Sequence, residues 1–292
     1  MDPRFDRAHG AMAGLFYGQA LEVDATVDKG SQSMPLSESI LSLMTATEST
    51  KQPTFPCFTT PVDHLYGLML GAVQLGIATS ISSPQAFADA VWDNSQKRGP
   101  TRQDFQATAL VAAAVSIGLD SPNFRVEDAL VRAVDVVSSA EPHGEWSPEP
   151  DVLAATRRAL NIASDVNDYI GFSLERLSKQ IGFGSSPAQI VPAACALAAR
   201  YQDRRLLSSP LRLGAQAHTI LSIVGALVGA VRGASFLRPY GLSRVEEACP
   251  LNLADRAHNL LATRAPYPRD ALAPGASAPP VAPSAPASFE DS

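Results

Sequence analysis

Residues Arg212 to Gly233 constrain the fold most. A polar turn, Gly214 to Thr219, runs directly into an apolar stretch with glycines at 225, 229 and 233. Steps of four residues return to one side of an α-helix. Gly225, Gly229 and Gly233, joined by Ala226 and Ala230, therefore form a smooth helix face. A glycine inside a helix costs about 1 kcal/mol relative to alanine, so a run of them calls for close packing against another backbone. The apolar run from Ile220 to Val231 is too short to span a membrane, which takes roughly 20 residues.

The rest of the chain repeats the helical theme. Helices are predicted over Arg7–Leu21, Ser37–Glu48 with Ser37 as N-cap, Val62–Ala78, and from Pro84 with Ser83 as cap. Others are predicted over Thr101–Leu119, Asn123–Ala140, Pro150–Ser164, Val166–Gln180, Pro187–Arg200 and Arg244–Arg264. Alternating strand patterns are nearly absent; the short run Val134 to Val137 lies inside a helical pattern. The expected architecture is all-α: a single compact, orthogonal-type helical domain over residues 5–265. Residues 266–292 are rich in Pro, Ala and Ser and are expected to form a disordered or polyproline-like tail.

Composition removes several function classes. The chain is 46% hydrophobic and 18% charged, with a formal net charge of −6, so nothing favours nucleic acid or an anionic membrane as partner. Cys57, Cys195 and Cys249 are far apart and form no CxxC pair, which points to neither zinc nor a disulfide framework. Cys195 lies in an Ala-rich helix and reads as a small buried hydrophobe. The first residues lack the basic segment and apolar core of a signal peptide, so a cytoplasmic protein is expected. His9, His64, His143 and His258 make no metal-spaced pair, and Trp92 and Trp146 read as packing residues or loop anchors. The turn Gly182 to Ser186 precedes a helix and offers a phosphate cradle, but it lacks the Lys-Ser/Thr ending of a P-loop.

Five segments, in order, resemble the ADP-ribosylglycohydrolase family. Arg7-Ala-His-Gly-Ala-Met-Ala-Gly-Leu-Phe-Tyr-Gly-Gln-Ala-Leu21 resembles its opening helix, with Gln19 where the family has aspartate. Leu36-Ser-Glu-Ser39 falls where the family has T-D-D-T, which sets Ser37 and Glu38 at the aspartate positions. Thr101–Leu119 resembles the family's central helix, and Gly182–Pro192 the segment before its metal motif. The turn into the glycine helix resembles G-G-D-T-D-T, with Gln216 and His218 in place of the two aspartates and Thr219 retained.

The resemblance implies an all-α fold, a cleft for two Mg²⁺ ions, and cleavage of the bond joining ADP-ribose to its acceptor. The substitutions alter that expectation. Two close Mg²⁺ ions need hard anionic oxygens, and one carboxylate remains at the four matching positions. The chain is expected to need no cofactor, to hold at most one weak Mg²⁺, and through His218 to favour a softer metal. Glu38 and His218 are the candidate base and acid; Gln19, Ser37, Gln216 and Thr219 are candidate hydrogen-bonding groups for a ribose or diphosphate.

A plainer reading stands beside each of these. Glu38 complements a helix dipole, His218 is a structural histidine, and the amides relieve carboxylate repulsion where no metal sits. Three functions follow. One is a degenerate family member, a pseudoenzyme or a protein that binds ADP-ribose or a related nucleotide. Another is a glycohydrolase with a rebuilt site, acting on an N- or O-glycosidic bond. The third is a helical scaffold that engages a protein partner through its tail.

Overall fold

In the computed structural model the described residues are 2–27, 61–96, 100–165, 170–200, 213, 216–240, 242–248 and 252–264. They are helical, with no strand among them; Thr101 and Glu145 form an isolated bridge. In chain order the helices are α1 (Pro3–Val27), α2 (Pro61–Ala78), α3 (Pro84–Ser95), α4 (Arg102–Asp120), α5 (Val126–Ser138) and α6 (Val152–Ala163). They continue as α7 (Ile170–Gln180), α8 (Pro187–Arg200), α9 (Ala217–Arg232), the single turn α10 (Ala234–Leu237), α11 (Leu242–Ala248) and α12 (Leu253–Ala262). The expected all-α architecture is what the chain adopts. Residues 266–292 and the expected helix at 37–48 lie outside the described residues. No described helix is long and apolar enough to cross a membrane.

Local chemistry sets several boundaries. Ser83 Oγ accepts from Ala86 N–H at 3.2 Å, and Pro84 opens α3, where its missing N–H costs nothing. Thr101 caps α4 and forms a reciprocal capping box with Asp104. The predicted helix Arg244–Arg264 is in fact two, α11 and α12. Pro250 supplies no backbone donor, and Asn252 starts a new helix by accepting from Asp255 N–H at 3.1 Å. The helix predicted from Asn123 begins three residues later, at Val126, because Phe124 N–H closes a turn onto Ser121 O.

Two helices, α4 and α9, form the centre. Nearly every residue of each is buried. A helix apolar on all sides must be covered on all sides, and α1, α2, α5, α6 and α8 provide the cover. The tightest pairing joins α1 to α9. Gly14 faces Gly225, and Gly10 faces Gly229, so that a Cβ on Gly10 would sit 2.6 Å from the Gly229 carbonyl oxygen. The glycine face read from the sequence is thus a backbone-to-backbone seam. Its register, 10 with 229 and 14 with 225, makes the two helices antiparallel.

Other contacts fix direction. Gly118 near the end of α4 packs on Ala230 and Val231 near the end of α9, so these helices run the same way. Gly76 of α2 packs on Ala112 and Val115, while His64 lies 3.9 Å from Asp104, so α2 runs with α4. Gln106 of α4 donates to Asp151 Oδ2 at 2.6 Å and accepts from Val152 N–H at 3.0 Å, tying the start of α6 to the start of α4. Gln103 donates to Glu149 O at 2.9 Å, and Glu149 accepts from Ser186 Oγ at 2.6 Å, just before α8. The starts of α2, α4, α6, α8 and α9 therefore gather at one end of the bundle, with the C-terminal half of α1.

The opposite end is closed by arginines. Arg264 Nη1 donates to the carbonyls of Gly76, Ile77 and Thr79 at 2.8, 2.9 and 2.8 Å. Its Nη2 donates to Ser116 Oγ at 2.8 Å and Asp120 Oδ2 at 2.6 Å. Arg7 Nη2 donates to Leu119 O at 2.6 Å. These guanidinium groups satisfy the orphan carbonyls where α2 and α4 end and offset the negative ends of both dipoles.

Candidate functional site

Each backbone N–H at a helix start points out of the helix without an internal partner. Thr101 and Asp104 cap α4, Asp151 caps α6 and Glu149 stands before α8, whereas Gln216 leaves the first amides of α9 without a side-chain cap, which makes the start of α9 the one of these suited to an anion. The motif residues lie there. Gln216 forms the turn entering α9, and its side chain caps nothing. It is 7% exposed, and Oε1 has no hydrogen-bond partner among the described residues. Thr219 is fully buried with Oγ1 equally unpartnered, and so is Ser222 Oγ one turn further along. Buried polar atoms are rarely left this way, and each costs about 1–3 kcal/mol. Three on successive turns of one helix mark a polar strip within the core. His218 is half-buried beside it.

Extending the seam register brings Gln19 of α1 level with the first turn of α9. Its backbone is thus on the same end as Gln216, His218 and Thr219. Ser37 and Glu38 lie outside the described residues, and with them the pairing of Glu38 with His218.

The donor set on α9 was tested against the metal implied by the resemblance. It offers an amide oxygen, an imidazole and a hydroxyl, and no carboxylate. Mg²⁺ selects anionic oxygens in a tight octahedron, and two adjacent ions select several of them. Among the described residues no group of three or more His, Cys, Asp or Glu side chains is placed to share an ion. The described residues of this end do not fit a two-Mg²⁺ centre.

Another polar group at the same end was not read as a site from the sequence. Asp104 accepts from Thr101 N–H at 3.1 Å and Thr101 Oγ1 at 2.9 Å, with His64 Nε2 at 3.9 Å. Burial pushes its carboxyl upward, but the His64 and Thr101 contacts outweigh that and hold it below its ordinary value. Thr101 and Asp104 carry a visible capping-box spacing. His64 is forty residues away in sequence, and no local pattern announces that pairing.

The turn Gly182 to Ser186 is not an open cradle. A Cβ on either Gly182 or Gly184 would strike the Gln189 side chain, which fills the space above the turn. Ser186 Oγ is already given to the Glu149 carboxylate, which would repel a phosphate. Trp146 also departs from expectation. Trp92 does pack, stacking on His143 at 5.3 Å with Phe105 edge-on. Trp146, read as a packing residue or loop anchor, is 74% exposed. The loop around it is anchored through its backbone and through His143, which leaves the indole on the outer side.

A family model described as ADP-ribosylglycohydrolase matches residues 67–267. The span runs from α2 past α12 and contains the Gln216–Thr219 turn and the glycine helix; the opening helix and residues 36–39 precede it. No curated protein matches the chain. With more than half of its length matched and an all-α architecture, the chain belongs to the ADP-ribosylglycohydrolase family.

Proposed function

We propose that this chain binds ADP-ribose or a related nucleotide at the helix-start end, without the two-Mg²⁺ reaction of its family. The observation that carries the reading is the neutral, unpartnered polar strip of Gln216, Thr219 and Ser222 beneath that end. Aspartates at positions 216 and 218 would set negative charge against a diphosphate unless cations lay between. Gln216 and His218 carry no negative charge, which removes the repulsion and leaves the start of α9 facing the anion. An amide and two hydroxyls also donate and accept, as ribose hydroxyls require. Gln19 and Ser37 are assigned to the same ligand. A cytoplasmic setting is part of the reading, supported by widely spaced cysteines and a buried Cys195 thiol.

Titration of the purified chain with ADP-ribose, in chelator and in Mg²⁺, tests the proposal. Metal-free binding supports it. Hydrolysis of an ADP-ribosylated substrate that disappears in Glu38→Ala would replace it with a rebuilt glycohydrolase, in which Glu38 and His218 serve as base and acid.

A further inference from the structure

The loop from Glu141 to Asp151 holds Trp146 outward on a rigid mount. Arg102 N–H donates to Glu145 O at 2.8 Å, and Gln103 Nε2 donates to Glu149 O at 2.9 Å. Glu141 N–H donates to Gln85 Oε1 at 2.9 Å, and His143 Nε2 lies 3.0 Å from Asp89 Oδ1. Gly144 takes φ +91°, and a Cβ there would sit 2.8 Å from the Thr101 and Arg102 backbone. The backbone is thus pinned on both sides of the indole. Trp146 is 74% exposed, whereas Val131, at 46%, is the other exposed large hydrophobic among the described residues.

The loop that carries this indole is acidic. Glu141, Glu145, Glu149 and Asp151 are all exposed, and no Lys or Arg occurs between Arg132 and Arg157. Isolated exposed apolar residues are ordinary. A tryptophan on a pinned backbone is different: it offers a large contact area, and little backbone ordering is left to pay on binding. An exposed indole in an acidic loop suits a guanidinium, which can stack on the ring while pairing with a nearby acid.

We propose that the Trp146 loop docks an arginine-rich segment of a protein partner. The loop lies over the start of α4, so a docked partner would sit beside the candidate ligand site. The proposal does not depend on ADP-ribose binding, because its residues are separate from those on α9.

The test titrates the full chain with a short arginine-rich peptide and a matched glutamate-rich peptide, following tryptophan fluorescence and heat. Binding of the arginine peptide alone, weakening with salt, is expected. Trp146→Ala should reduce affinity about tenfold or more while leaving the melting temperature unchanged. Glu145→Gln with Glu149→Gln should weaken binding and flatten its salt dependence. No binding at low salt, equal binding of both peptides, or unaltered affinity in Trp146→Ala would overturn the proposal. So would self-association that Trp146→Ala abolishes in the absence of peptide binding, which would assign the surface to a second copy.

Discussion

Arg264 Nη2 lies 2.6 Å from Asp120 Oδ2, and both side chains are almost entirely buried, at 3% and 4% exposure. The pair joins Arg264, two residues past α12, to the C-terminal end of α4 and, through the other guanidinium nitrogen, to the end of α2. Arg4 approaches the second Asp120 oxygen at 3.0 Å. One carboxylate thus answers two guanidinium groups and three helices. Removing one member of a buried pair leaves an uncompensated charge, at a cost of about 3–5 kcal/mol. Arg264→Met is expected to lose that much in urea unfolding. A loss under about 1 kcal/mol would match a solvent-screened pair instead.

The Gly14–Gly225 contact makes an opposite-signed test of propensity against packing. In an isolated helix, Gly225→Ala would stabilise by about 1 kcal/mol. Here the added Cβ meets the Gly14 backbone, which has no rotamer to yield. Separation of α1 from α9 should dominate, with a net loss of about 1–3 kcal/mol. A variant more stable than wild type in thermal melts would show that the seam is not close.

Acid should destabilise the fold in two separate ranges. Burial beside Phe5 pushes His9 below its ordinary value of 6.5, despite Glu246 Oε1 at 3.1 Å. The unfolded chain then takes up the proton first. His9 contributes fully above pH 6.5, and its contribution drains as pH falls below that value. Asp104 is held below its ordinary 3.8, so its share is complete above 3.8 and is lost only at lower pH. Unfolding free energy measured from pH 8 down should begin to fall near 6.5, and His9→Gln should flatten that part alone. An unchanged slope in the variant would remove His9 as its source.

Cys195 is fully enclosed in α8, and burial pushes its thiol up to about 12. The thiolate is the reactive form, so alkylation at mildly alkaline pH should spare this residue until the chain unfolds. Peptide mass spectrometry after brief iodoacetamide treatment checks it. Rapid native labelling would require an opening of α8 that its packing does not provide.

Much of this was legible because helix chemistry is local. The four-residue glycine step at 225 and 229 has its counterpart at 10 and 14, and glycines that weaken a helix imply a close neighbour. Ser83-Pro84 and Thr101-x-x-Asp104 marked real helix starts. The break before Asn252 was hidden, since Leu253, Ala257 and Leu260 continue the apolar rhythm of the preceding helix. Trp146 was misread because a large aromatic ordinarily seeks the core, whereas the pinning of its loop comes from Arg102, Gln103 and Asp89 in other elements. At the site, the residue types at 216 and 218 could be read directly. The burial of Gln216, Thr219 and Ser222 without partners depends on how α9 sits among its neighbours, which no spacing reveals.

Calorimetric titration with ADP-ribose in excess chelator tests the central proposal most directly. Wild type should bind without metal, Mg²⁺ should add little, and Thr219→Val should weaken binding by about one to two orders of magnitude, as loss of a buried hydrogen bond does. Gln216→Asp should also weaken metal-free binding by returning a charge that repels the diphosphate. Binding that requires Mg²⁺ in the wild-type chain would contradict a metal-free anion site at the start of α9.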